Sequence, residues 1–195
     1  MTQVTVFDTT GRGDYPPRAL EQLEGLPVEL ISRPIPDQES LLAECRDADI
    51  ILMTALRFDR PTMEQLPRLR GIVRYGVGLD TIDLHAASEM GIEVRNVRDF
   101  CSEEIADHAL GMLIACARGV FRDATRVREG EWRRCGQPVR RLRGSCLGIV
   151  GLGAIGRALA TRAQVLGMTV LATDPFATAE AARDAGVRLV ELPEL

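Results

Sequence analysis

Apolar positions along the chain keep two alternating rhythms. Short continuous apolar runs, bounded by Gly, Pro, Asp or Arg, recur at Val4–Asp8, Val28–Ser32, Ile50–Thr54, Gly71–Tyr75 and Ile92–Arg95. Runs of this length and continuity predict strands buried on both faces. Between them, apolar residues at helical spacing predict helices over Pro16–Leu23, Gln38–Cys45, Thr62–Leu66 and Leu84–Met90. Strands that alternate with helices in this way imply βαβ units and a parallel sheet covered on both faces. Residues 1–99 therefore read as one small α/β domain.

After residue 99 the rhythm changes. Ser102 is placed as an N-cap, with Glu103 and Glu104 complementing the helix dipole in the first turn. Ile105, Ala109, Met112, Cys116 and Val120 follow at helical spacing, which predicts one long helix to about Arg128 with Gly130 at its end. An apolar stripe backed by an arginine-rich face makes residues 102–128 the element through which a homodimer is expected. A polar connector follows, so residues 100–143 form a linking segment and 144–195 begin a second domain. There the pattern predicts a strand at Cys146–Val150, a helix from near Gly153, a strand at Thr169–Thr173, a short strand at Val187–Val190 and a first helical turn at Glu191–Leu195.

The second domain carries the chain's most specific motif, Gly-Leu-Gly-Ala-Ile-Gly at residues 151–156, between a strand and a helix. Gly151 suits the tight turn, Gly153 the close approach of backbone to a pyrophosphate, and Gly156 the close packing of helix on strand. The helix N-terminus then offers unpaired N–H groups and the positive end of its dipole to the phosphates. Asp174 closes the next strand, where a carboxylate accepts hydrogen bonds from the adenosine ribose and repels a 2′-phosphate. The following Pro175 and Phe176 supply no cation for such a phosphate, so the cofactor expected is NAD and not NADP.

Composition narrows the surroundings. The net charge of −4 gives no general reason to expect a nucleic acid partner, 46% apolar residues suffice for a sizeable core, and no apolar run has the length of a membrane span. Met1-Thr2-Gln3 leads directly into a strand, and five cysteines (Cys45, Cys101, Cys116, Cys135 and Cys146) show no metal-ligand spacing. A cytoplasmic protein without metal is expected. The chain has no lysine, and nine of its arginines fall between Arg118 and Arg143. Arg118, Arg122 and Arg126 recur at i, i+4 and i+8, either as an anion or partner site or as a solvated face neutralised by Asp123, Glu129 and Glu131.

Four segments taken together resemble the D-isomer-specific 2-hydroxyacid dehydrogenases: Ile72-Val-Arg-Tyr-Gly-Val-Gly-Leu-Asp-Thr-Ile-Asp-Leu84, Gly91-Ile-Glu-Val-Arg-Asn96, Glu103-Glu-Ile-Ala-Asp-His-Ala-Leu110 and Leu142 to Gly156. The resemblance is nearest to the branch that includes the C-terminal-binding-protein corepressors. It implies a flavodoxin-like parallel-sheet substrate domain followed by an incomplete Rossmann NAD-binding domain, hinged near Asn96 and Arg143. The Tyr75-Gly-Val-Gly78 turn reads either as a plain glycine reversal or as an anion nest, and the resemblance favours the nest. Val77 and Gly78 would then hold the substrate carboxylate by their N–H groups, with Tyr75 beside them. Ile105 matches a position that flanks the nicotinamide ring, although helix packing would equally explain it. Ala154 and Ile155 match the pair against the pyrophosphate, Ala154 standing where the family often has arginine. Arg98 and Thr81 are two further departures from the family's usual residues.

In that family an Arg, an acid and a His perform the chemistry, and they lie later in the nucleotide domain than Leu195. His85 and His108 match none of these positions, and Arg74 is not assigned to a substrate clamp. No catalytic residue is therefore assigned, and the 195 residues are expected to be a fragment inactive alone. The small 2-hydroxy or 2-oxo acid remains the expected substrate. A non-catalytic interaction module that senses NAD(H) is the alternative.

Overall fold

The computed structural model describes residues 3–98, 100–132 and 139–195. Cys135, Arg133 and Arg134 lie outside the described residues. The chain divides into two compact units, Met1–Phe100 and Cys101–Leu195.

In the first unit five parallel strands, β1 (Val4–Asp8), β2 (Val28–Ser32), β3 (Ile50–Met53), β4 (Gly71–Arg74) and β5 (Glu93–Asn96), form one sheet in the order β2-β1-β3-β4-β5. This is the flavodoxin-like order, whose direction of winding reverses between β1 and β3. The helices α1 (Pro17–Glu21), α2 (Gln38–Glu44), α3 (Arg60–Glu64) and α4 (Leu84–Glu89) connect the strands. Asp37, Asp59 and Asp83 cap α2, α3 and α4, each accepting a backbone N–H three residues on. Phe7, Leu41, Ile51, Met53, Phe58, Met63 and Ile72 fill the core. Asp49, at the entrance to β3, accepts the Thr5 N–H at 2.8 Å and the Arg68 guanidinium at 2.8 Å, tying the start of β1 to the loop before β4.

The second unit opens with helices α5 (Ser102–Arg118) and α6 (Val120–Arg128). The single helix expected over 102–128 is thus two. Gly119 lies between them at φ 70°, a left-handed conformation that ends α5 and starts α6. The expected N-cap also moves. Cys101 occupies that position at φ 58° without a side-chain bond, and Ser102 is the first helical residue. Gly119→Ala places a Cβ in a left-handed residue and against the Arg122 guanidinium. It should destabilise this segment by about 1–2 kcal/mol, read as a lower urea midpoint with an unchanged m value.

Three parallel strands follow, β6 (Cys146–Val150), β7 (Thr169–Thr173) and β8 (Arg188–Leu189), in the order β6-β7-β8 with α7 (Ala154–Val165) and α8 (Ala179–Asp184) as crossovers. This order is one mononucleotide-binding half of a Rossmann sheet. A 3₁₀ turn at Leu192–Glu194 replaces the expected start of an α-helix. Ile149, Leu152, Ala160, Ala163, Val170, Ala172 and Val187 form the core. Arg162 of α7 fixes α5 through Glu103 at 2.7 Å and Asp107 at 2.6 Å.

Candidate functional site

In the second unit the chain leaves β6 through Gly151, whose φ of 93° a side chain would oppose. The Gly151 N–H donates to the Thr173 carbonyl at 2.8 Å, which ties the turn to the end of β7. Leu152 buries its side chain, and its N–H donates to Asp174 Oδ2 at 2.7 Å. Asp174 Oδ1 accepts two further backbone donors, Phe176 N–H at 2.7 Å and Ala177 N–H at 3.0 Å. The amides of Phe176 and Leu152, with Ala177, hold this carboxyl below the usual carboxylate range. The residue that the sequence assigns to a ribose is thus also the clamp that joins the glycine loop to the loop after β7.

Gly156 is buried, and a Cβ there would be driven into the Gly151 carbonyl. The close contact that demands this glycine is between α7 and the glycine loop. The nearest strand atom, Ile149 Cγ2, is more distant at 3.4 Å. Gly153 differs. It sits at the N-terminus of α7, and an added Cβ would meet nothing within 4 Å. Ala154 and Ile155 beside it are exposed, as is Ile105 on α5 at 43%. Core packing therefore does not account for Ile105. A cavity of about 470 Å³ adjoins Asp174, lined also by Thr173, Pro175, Leu189, Val190, Glu191 and Glu194. Among the described residues three carboxylates and no basic side chain line it, which suits ribose hydroxyls and opposes a phosphate.

In the first unit, Tyr75, Gly76, Val77 and Gly78 follow β4. Their carbonyls and their N–H groups are treated differently. Val77 O accepts from Asn96 Nδ2, Gly78 O from Arg74, and Gly76 O from the Val97 N–H at 3.1 Å. Among the described residues no acceptor takes the N–H of Val77 or Gly78. A turn whose acceptors are occupied and whose successive donors are not is suited to a small anion. Arg74 braces the turn, its Nε bonded to Thr54 O at 3.0 Å and its Nη1 to Asp80 Oδ1 at 3.1 Å. A Cβ on Gly78 would stand 2.7 Å from Asp80 Oδ1, inside that pair. Sequence reasoning left Arg74 unassigned, because its partner at Thr54 is brought near only by the β3–β4 pairing.

The remaining candidates are not brought to either place. The His85 side chain is 83% exposed, 3.6 Å from Glu89, and His108 is exposed on α5. Arg122 pairs with Asp123 at 3.1 Å and Arg126 with Glu131 at 3.5 Å, while Gly119 separates both from Arg118. That favours the solvated face. Among the described residues no cluster of His, Cys, Asp and Glu could hold a metal ion, and no helix is long and apolar enough to cross a membrane.

Residues 110–195 match the family model described as D-isomer specific 2-hydroxyacid dehydrogenase, NAD binding domain. The chain is 37% identical over 171 residues to a glyoxylate reductase of Pyrococcus furiosus, covering 84% of this chain and 51% of that protein. It is 36% identical over 155 residues to a D-3-phosphoglycerate dehydrogenase of Methanocaldococcus jannaschii, covering 79% of this chain and 30% of the relative. The chain thus spans about half or less of the length of these curated relatives. A crystal structure of a glyoxylate reductase from Paecilomyes thermophila superimposes with a TM-score of 0.83 at 28% identity, over all of this chain and 62% of the other.

Proposed function

This chain belongs to the D-isomer-specific 2-hydroxyacid dehydrogenase family, and from that premise we propose that it supplies the carboxylate site and the NAD cradle of an enzyme interconverting a 2-oxo acid and its D-2-hydroxy acid. Residues 1–99 are assigned to substrate and 144–195 to cofactor. The observation that carries the reading is the Leu152 N–H bond to Asp174, which sets the glycine loop and the acidic strand end in register for a dinucleotide.

Gly153, Ala154 and Ile155 would face the pyrophosphate at the α7 N-terminus, Asp174 the adenosine ribose, and Ile105 the nicotinamide. Bound NAD supplies the hydride acceptor. In this chain the Val77 and Gly78 N–H groups hold the substrate carboxylate, and Arg74 and Asn96 hold the turn in shape. Tyr75 stands beside that turn, 42% exposed.

Neither histidine is placed to take the hydroxyl proton, so the 195 residues bind without turnover. Association of two copies belongs to the same reading, through exposed Met112, Val120 and Phe121 of α5 and α6. The test is calorimetric titration of the 195-residue chain with NADH, followed by an NADH-oxidation assay with glyoxylate, pyruvate and hydroxypyruvate. Saturable NADH binding without oxidation is expected. Protein-dependent oxidation would overturn the inactivity, and absence of binding would overturn the cofactor site.

A further inference from the structure

Beside the Tyr75–Gly78 turn lies a cavity of about 570 Å³ that the carboxylate site does not use. It opens at the carboxyl ends of β1, β3 and β4, where Asp8, Thr54 and Tyr75 end or follow their strands. The sheet order reverses between β1 and β3, and the crevice outside the strand ends at such a reversal is where open α/β sheets bind ligands. Its volume falls within the range of about 300–1,000 Å³ usual for small-molecule sites. Tyr75 and Gly76 form one wall, so an acid anchored at Val77 and Gly78 has this space for whatever its C2 carbon carries.

The lining has a definite chemistry. Tyr15, Tyr75, Phe100 and Val97 supply apolar surface and aromatic faces. Asp8, 1% exposed, forms the floor, accepting the Thr10 N–H at 2.8 Å and the Tyr15 hydroxyl. That bond fixes the Tyr15 ring as a wall. Burial, with the bond to Asp8, pushes the Tyr15 hydroxyl up to about 12, so the wall persists through neutral pH. Among the described residues the charged side chains of the lining are Asp8, Asp14 and Arg12, two acidic to one basic. A phosphorylated side chain meets net repulsion there, and a two- or three-carbon acid leaves most of the volume to water.

We propose that this cavity is the side-chain pocket of the oxo-acid site and selects an uncharged aryl group, so that the substrate is an arylpyruvate and its product an aryl-lactate. The inference rests on the carboxylate-site reading above. An aryl ring replaces water against three aromatic faces, which favours it over a methyl group by about tenfold or more.

The test uses the 195-residue chain with NADH present, so that hydroxy acids bind without reacting. D-phenyllactate, D-lactate and D-3-phosphoglycerate are titrated while the backbone amide resonances are followed. All acids that bind should move the Val77 and Gly78 amides. D-phenyllactate alone should also move Thr10, Tyr15 and Thr54, and bind about tenfold or more tighter than D-lactate. Phe100→Ala, a change at a 59% exposed side chain that leaves the fold intact, should reduce that preference to about threefold or less. Equal affinity for the lactate pair, or tightest binding of the phosphorylated acid, overturns the pocket and leaves the carboxylate site standing. If no acid moves Val77 and Gly78 while NADH binds, the carboxylate site fails and the pocket with it.

Discussion

Alanine at Gly156 will lower the melting temperature of the chain by roughly 5–10 °C, whereas alanine at Gly153, three residues away, will leave it within about 2 °C. Both residues belong to the same motif, so composition alone does not separate them. At Gly156 the new methyl would meet the Gly151 carbonyl oxygen and stand 3.1 Å from its carbon. Backbone cannot rotate aside as a side chain can, so the strain reaches about 2–3 kcal/mol, the upper part of the range for overpacked sites. At Gly153 nothing lies within 4 Å and φ is −72°, a conformation alanine accepts. The vacant side is where a pyrophosphate would approach, so Gly153→Ala should weaken NAD binding about tenfold without touching the fold. Circular dichroism melts and NAD titration of both variants decide the matter. Equal melting temperatures would show that α7 does not press on the glycine loop.

Asp174→Ala should reduce NAD affinity about tenfold or more and largely erase the preference over NADP. Two effects act together. The loop loses the acceptor for Leu152, Phe176 and Ala177, and the cofactor loses its ribose partner and the barrier to a 2′-phosphate. Asp174→Asn separates them, because the amide oxygen still accepts one or two backbone donors but brings no negative charge. Acid gives an independent check. The folded carboxyl titrates below its unfolded value of about 3.9, so its contribution to stability is complete above that pH. The contribution is lost as pH falls through the lower folded value. The Leu152 amide resonance should therefore hold steady down to about pH 4 and move only below it. A midpoint at or above the ordinary carboxylate value would mean that the three amides are not bonded to Asp174 in solution.

The strands were legible because each is a short apolar run closed by residues that end strands. Val4–Asp8, Val28–Ser32, Cys146–Val150 and Thr169–Thr173 all have the predicted bounds. The helix over 102–128 was misread because Cys116 and Val120 keep helical spacing straight across Gly119, and spacing carries no sign of φ. Helix α8 went unread, since Ala179–Asp184 has too few large apolar side chains to show a period. At the site, the glycines and Asp174 were visible because their spacing is itself the signal. Arg74 and Tyr15 were not. Each acts through a partner that only the folded sheet brings near, Thr54 for Arg74 and the buried Asp8 for Tyr15.

Every pairing within both sheets is parallel, and this sets the order of events as the chain folds. Among the described residues no two strands form a hairpin, so none of these strands finds its neighbour through a short turn. Val6 of β1 pairs with Ile50 of β3, so β1 gains its second partner only after β2 and α2 have been made. Closing such long loops before any contact rewards them makes folding slow, on a scale of about milliseconds to seconds. During synthesis the run Val4–Asp8 leaves the ribosome well before Ile50–Met53, and its β3-facing edge stays unpaired until that strand follows. The vulnerable interval for this protein is its own synthesis, and its earliest client relationship is with whatever holds nascent strands apart.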